Sequence, residues 1–391
     1  MTAPVQTQTA NGAASKNTKQ AAVPLRPFKV GAQFIDEEPF DQTVTMVTSA
    51  RRFAQYDVPS TAYLSHIELI VEVVTAANAA TVVFAEDAPW NVLDVIDFLD
   101  TGNSEIITQI TGFDLMIINK FGGYFFQDDP RASPVYSVTA GVGGGLGGSA
   151  RYILRIPVEV VQRDALGALP NKSQSTPFKV KVTAAASTTV YTTPPTTLGT
   201  VRLRMIPISY WEPTKTDSAG NPIASQPPGV GFTQYWNKDE PSSPAGSFTV
   251  DLNNSTGYPI RNLIFILRGA DGLRSTGEAD FPDPFRLQLQ ANIMKSTIKF
   301  SWQDRIARAF GYSGAVSDAV NCKENGVYPL WYNNDFSQKP GWENRRQYLR
   351  TTDGMRMQIK GSIGGSGQHK WSVLTNYVGT PAGVNLAQLT T

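Results

Sequence analysis

From Pro24 onward the chain repeats one device: short runs in which every second residue is apolar, cut off by glycine or proline. Phe178-Lys179-Val180-Lys181-Val182 and Val201-Arg202-Leu203-Arg204-Met205 are the clearest cases. A period of two buries one face of an extended strand and leaves the lysines or arginines on a solvated face. Chains built this way bury their apolar faces by stacking one sheet on another. Further runs occur at Thr43–Val47, Ile67–Val74, Val92–Leu99 and Tyr152–Val161. With 33 glycines and 26 prolines marking turns between them, short strands and few long helices point to sandwiches or barrels.

Two short helices are expected. One covers Phe113–Phe121 and stops at Gly122-Gly123. In the other, Ser301-Trp302-Gln303-Asp304 resembles a capping box, Trp302, Ile306, Ala309 and Phe310 form a stripe, and Gly311 ends it.

At about 150 residues per domain, 391 residues suggest two or three domains. An internal repeat favours two. Asn91–Asp100 is echoed at Pro259–Arg268, Phe121-Gly122-Gly123-Tyr124 at Phe310-Gly311-Tyr312, Phe178–Val182 at Met355–Ile359, and Val201–Tyr210 at Trp371–Val378. Four matches in one order predict two copies of one β domain. The expected layout is an N-terminal arm over 1–24, a first domain over 25–213, a linker over 214–229 and a second domain over 230–391. The arm has no aromatic residue and two lysines, Lys16 and Lys19, and is expected to be flexible. The linker, TKTDSAGNPIASQPPG, reads as a connector or surface loop. Ala140–Gly148 reads as a loop within the first domain.

Composition removes several function classes. The net charge is +1, with 34 basic and 33 acidic residues, which argues against binding through a nucleic-acid backbone. A single cysteine, Cys322, excludes an intramolecular disulfide framework and a multi-cysteine zinc site. There is no apolar run long enough to cross a bilayer and no signal-peptide core, so the chain is expected to fold in the cytosol of the cell that makes it.

Chemistry is sparse. Gly143, Gly145 and Gly148 satisfy GxGxxG, but strand-like sequence follows where a phosphate cradle needs a helix. His66 starts an apolar strand and His369 lies in a polar turn, each without a local metal or triad pattern. Asp36-Glu37-Glu38, Glu86-Asp87 and Asp128-Asp129 are the acidic clusters from which a calcium site or a glycosidase pair would be built. Trp90, Trp211, Trp236, Trp302, Trp331, Trp342 and Trp371 are spread as core and interface residues would be. No catalytic, cofactor-binding or metal-binding residue is assigned, and no cofactor.

The ordered layout resembles the double jelly-roll major capsid proteins of tailless, membrane-containing icosahedral viruses, the tectivirus-like bacteriophages in particular. Ala88-Pro89-Trp90-Asn91-Val92 leading into Ile96-Asp97-Phe98, the Gly112–Gly123 unit, Asn325-Gly326-Val327-Tyr328-Pro329, and the pair Met355–Ile359 and Trp371–Val378 carry the likeness. It implies an all-β fold of two tandem eight-stranded jelly-roll sandwiches with short helices in connecting loops. It further implies homotrimers of six-lobed outline that tile an icosahedral shell, neighbours among minor capsid, vertex and membrane proteins, and an arm on the inner side, near an internal membrane. No specific nucleic-acid binding is expected, and the contact residues are not readable from sequence. Two competing expectations remain at this point: a tandem-sandwich carbohydrate-binding protein or glycan hydrolase, and a spike-like virion protein that forms isolated trimers.

Overall fold

The computed structural model describes residues 25–26, 28–36, 39–75, 77–78, 81–122, 129–139, 141, 145–146, 148–160, 165–172, 175–225, 233–252, 257–275, 280–310, 324–332 and 348–379. The first sandwich is made of β1 (Phe40–Thr45), the interrupted pair β2 (Arg51–Arg52) and β3 (Tyr56–Asp57), β4 (Tyr63–Val74), β5 (Leu93–Leu99), β6 (Glu105–Ile110), β7 (Ser149–Pro157), β8 (Lys179–Ala184) and β9 (Thr200–Tyr210). One sheet runs β1-β9-β4-β7 and the other β2/β3-β8-β5-β6, all antiparallel. With β2 and β3 counted as one interrupted strand, strands 1-8-3-6 face 2-7-4-5, the jelly-roll order.

The second sandwich repeats that order. Its strands are β10 (Thr233–Asp239), β11 (Ser242–Leu252), β12 (Ile260–Arg268), β13 (Phe285–Leu289), β14 (Asn292–Thr297), β15 (Val327–Trp331) and the long β16 (Met357–Gly379). Strand β16 serves both sheets. Met357–Ile363 pairs with β11, and residues 357–360 also pair with β13, which pairs with β14; residues 370–379 lie between β10 and β12, and β12 pairs with β15. Gly365 and Gly367, at φ +76° and +90°, lie between the two parts of β16, in a conformation that side chains with a Cβ resist. The fold is therefore a double jelly roll. The two sandwiches meet edge to edge, β6 beside β10 in parallel, with Ile107 opposite Trp236 and both side chains buried.

Helix α1 (Gly112–Phe121) follows β6, and α2 (Lys299–Phe310) follows β14, the equivalent strand of the second sandwich. Every residue of α1 is buried, as its sequence FDLMIINKF, apolar on nearly all sides, requires. α2 is amphipathic and buries Trp302 and Ile306. The second core is aromatic: Phe281 stacks on Tyr328 with ring centres 3.6 Å apart, and Trp302 donates its indole N–H to the Pro329 carbonyl at 2.8 Å.

Several expectations need correction. Of the four internal matches, three pair strands or helix ends of equivalent place. The fourth does not: Asn91–Asp100 contains β5, which lies between β6 and β8, whereas Pro259–Arg268 contains β12, whose equivalent is β4. The reason is burial. β12 is covered on both faces, so its Leu263–Leu267 stretch reads as a continuous apolar run, while β4 alternates over its second half. The capping box belongs to α1: Thr111 Oγ1 accepts from Asp114 N at 3.1 Å and the Asp114 carboxylate accepts from Thr111 N at 3.0 Å. Ser301 instead lies inside α2, which starts at Lys299. Residues 214–225 of the expected linker fold back on the surface, Thr216 bridging Pro222 and Ala224-Ser225 pairing with Leu25-Arg26. Residues 1–24 lie outside the described residues.

Candidate functional site

The first question is whether the sparse chemistry of the sequence converges anywhere. His66 sits on β4 among Ser65, Glu159 and Tyr210. Ser65 Oγ donates to Glu159 at 2.8 Å, Tyr210 Oη donates to the same carboxylate at 3.0 Å, and His66 Nδ1 is 3.0 Å from Ser65 Oγ. With its one proton committed to Glu159, the serine accepts from the imidazole, the reverse of nucleophile activation. Ser65 is also fully buried. Burial lowers the His66 pKa despite the neighbouring Glu68, and burial with the Glu159 charge raises that of Tyr210. The group is a satisfied polar cluster beneath a sheet.

The acidic clusters are taken up differently. Asp36 is exposed, Glu37 and Glu38 lie outside the described residues, and so does Asp128. Asp87 is bound by Arg268 Nη1 at 2.7 Å and Arg274 Nε at 2.9 Å. Asp129 is bound by Lys120 at 3.0 Å and Arg131 at 3.2 Å. Burial pushes the Asp129 carboxyl up, but the charges of Lys120 and Arg131 outweigh it and the pKa falls. Among the described residues no three His, Cys, Asp or Glu side chains gather in a way that could hold a metal ion. Cys322 and Trp342 lie outside the described residues. Trp90, Trp236, Trp302 and Trp371 are core residues, Trp331 donates to the Phe121 carbonyl at 3.0 Å, and Trp211 alone of the described tryptophans is exposed. Among the described residues the tryptophans therefore form no sugar-stacking platform with an acidic pair. His369, read in the sequence as a turn residue, is a buried strand residue opposite Ser243.

What the paired charges build is the junction between the sandwiches. α1 is wedged between its own sandwich and the outer face of β10, β12 and β15. At its N-terminus Asp114 meets Lys238 of β10 at 2.9 Å, and Phe113 lies under the guanidinium groups of Arg268 and Arg274, 5.7 and 5.2 Å from the ring centre. At its C-terminus the Gly122 carbonyl accepts from Arg261 Nη1 at 2.7 Å. Burial pushes the Asp114 carboxyl up, yet Lys238, Arg268 and the Thr111 N–H hold it below the ordinary carboxylate range. Burial depresses Lys238, and Asp114 with Glu240 more than restores it, leaving the pKa raised. A cavity of about 250 Å³ opens at this junction, lined by Asp87, Phe113, Lys238 and Arg268 among others. Asp87, Lys238 and Arg268 are already paired, so these three offer an incoming ligand no free charge.

The arginines of the alternating strands are also paired. On the outer face of β1-β9-β4-β7, Arg204 and Arg151 reach Glu72 at 2.9 and 3.0 Å, Arg155 reaches Glu68 at 3.2 Å, and Arg202 pairs with Asp41. The result is a cross-strand ladder of mixed sign, with no cationic stripe for a phosphate backbone.

The sequence matches no protein-family model and no curated protein. Its fold does match solved structures. The crystal structure of the STIV MCP superposes with a TM-score of 0.57 at 10% identity, over 87% of this chain and 97% of that one. A chain of the atomic structure of Sulfolobus Turreted Icosahedral Virus gives 0.61 at 10% identity, over 91% and 93%. The major capsid protein P2 from bacteriophage PM2 gives 0.51 at 10% identity, over 91% and 100%. The likeness spans both sandwiches and is a likeness of fold.

Proposed function

We propose that this chain is a major capsid protein that works by self-association: homotrimers of six-lobed outline tile the icosahedral shell of a tailless virus. The observation that carries this reading is the pair of jelly rolls fused edge to edge, matching capsid proteins over nearly the whole of both chains. Two sandwiches per chain give a trimer six similar lobes, which suits hexagonal packing. Near-neutral net charge supports the close packing of many copies. In this reading the protein performs no reaction and needs no cofactor. The division between the sandwiches falls between Tyr210, where β9 ends, and Thr233, where β10 begins. Residues 1–24 act on the inner side of the shell, towards minor proteins and a membrane, with Lys16 and Lys19 adding about 2 kcal/mol of attraction to an anionic surface.

The test is light scattering coupled to size exclusion, with negative-stain images of the peak. A species near 127 kDa, three times the 42.5 kDa chain, with hexagonal outlines is the expected result. A monomer that neither trimerises nor forms sheets or shells would overturn the reading, and glycan binding by that monomer would favour the carbohydrate-binding alternative.

A further inference from the structure

The junction inside the chain has an unfilled counterpart on its outside. Within the chain, the last strand of one sheet (β6) lies beside the first strand of the next sandwich (β10), and the helix that follows β6 covers the outer face of β12. Three differences between the two sandwiches show where that arrangement stops. β12 is buried on both faces from Ile260 to Leu267, whereas its equivalent β4 leaves Glu68, Ile70 and Glu72 partly exposed and Val74 58% exposed. α1 is buried on every side, whereas its equivalent α2 presents Phe300 at 75% exposure. Finally, β14, the equivalent of β6, is the edge strand of its sheet among the described residues, and on it Ile293 and Met294 are 54% and 45% exposed, with Ile298 beyond it at 55%.

Phe300 holds the second position of α2, as Phe113 does in α1. Phe113 is covered by Arg268, the last residue of β12, which pairs with Lys370 near the start of the final strand segment. In the first sandwich the residue in that place is Val74, the last of β4, which pairs with Thr200 at the start of β9. One sandwich therefore has an uncovered helix, and the other has an uncovered strand end in the matching place. Apolar edge strands left open are templates for association.

We propose that a second copy of this chain completes the junction: β14 and α2 of one copy dock on the edge strand β1 and the outer face of β4 of the next, with Phe300 covering Val74. The contact joins two different surfaces, so it is head-to-tail and closes as a ring. The occupant is a copy of this chain because the interface is one the chain already makes internally, by equivalent elements in the same order. The mixed-sign ladder of Glu68, Glu72, Arg155 and Arg204 can be covered without leaving a net charge, since its members are already paired. This inference rests on the capsid reading and specifies the seam it requires.

Phe300→Glu and Val74→Glu, each at an exposed position, test it separately, and Phe300→Leu serves as the conservative partner. Mass by light scattering and near-UV circular dichroism are read on each. The expected result is that either glutamate weakens the trimer at least about 100-fold, so that it runs at 42.5 kDa at micromolar concentration with an unchanged dichroism spectrum, while Phe300→Leu remains trimeric. In a Cys322→Ser background, Phe300→Cys with Val74→Cys should give disulfide-linked dimers and trimers on mild oxidation. If the parent protein is trimeric and both glutamate variants stay trimeric, or no interchain disulfide forms, this seam is wrong while the capsid reading stands. If the parent protein is itself monomeric, the capsid reading is what fails.

Discussion

Asp114 is where the cap of α1 and the junction of the sandwiches depend on one carboxylate, and its replacement by alanine gives a result of calculable size. Two interactions disappear: the acceptor for Thr111 N at 3.0 Å and the counter-charge of Lys238 Nζ at 2.9 Å. The Asp114 side chain is fully buried and that of Lys238 is 9% exposed, so the ammonium left behind is largely desolvated. Breaking a buried pair from one side costs about 3–5 kcal/mol, and losing the cap adds about 1 kcal/mol. Glu240 stays within 2.7 Å of Lys238 but is 57% exposed, and recovers only part of that. The expected loss for Asp114→Ala is about 3–4 kcal/mol. Asp114→Asn, which can keep the cap acceptor and loses the charge, should cost about 2–3 kcal/mol. Urea denaturation followed by tryptophan fluorescence reads these as midpoint shifts, and Trp236 lies at the same junction. Combining Asp114→Ala with Lys238→Met should recover about 2 kcal/mol of the summed single losses, because the second change removes the stranded charge. A loss below about 1 kcal/mol for Asp114→Ala, strictly additive with Lys238→Met, would refute the claim that this pair holds the junction.

Three other outcomes follow from the same structure. Gly112→Ala should stabilise α1 by about 1 kcal/mol on helix propensity alone. A Cβ there would instead lie 2.1 Å from the Trp90 carbonyl oxygen, so a melting temperature below that of the parent protein is expected, and a rise would contradict the packing. The pKa of His66 is held below its ordinary 6.5, so as pH falls through 6.5 the unfolded chain takes up a proton before the folded one; the stability present above that pH is lost toward the lower folded value. His66→Gln should flatten this part of a stability-against-pH curve, and an unchanged slope would count against it. Deletion of residues 1–24 should leave the trimer mass and melting temperature intact while reducing shell yield, and normal particles would remove the arm from the assembly mechanism.

The alternating strands were legible because they have one wet face. Thr43–Val47, Phe178–Val182 and Val201–Ile208 fall on β1, β8 and β9 with shifts of a few residues, since solvent enforces the period of two. Elements covered on both sides lose that signature. β12 was legible as a strand but not as the equivalent of β4, because its outer positions carry Asn262 and Ile266 where β4 carries Glu68 and Glu72. The cap of α1 had a readable pattern, Thr111-x-x-Asp114, masked by the apolar run around it. The ion pairs at Asp87 and the pairing of Lys120 with Glu324 were not legible, because Arg268, Arg274 and Glu324 lie far along the chain from Asp87 and Lys120 and meet them only through the fold.

That loss of signature is itself informative about assembly. Two sandwiches of one topology need the same interior, so differences between equivalent strands report what lies outside them. β12 and α1 are largely apolar on the outside, with their polar groups paired across the junction, because the chain covers them with itself. β4 keeps charged residues on its outer face but pairs nearly every one of them across the strands, and α2 keeps its polar side yet places Phe300 in water. A surface meant only for solvent has no need to neutralise its charges in pairs or to hold a phenylalanine at the start of a helix. A surface that is folded in water and later covered by another copy needs both, since it must stay soluble as a monomer and leave no unpaired charge when the seam closes.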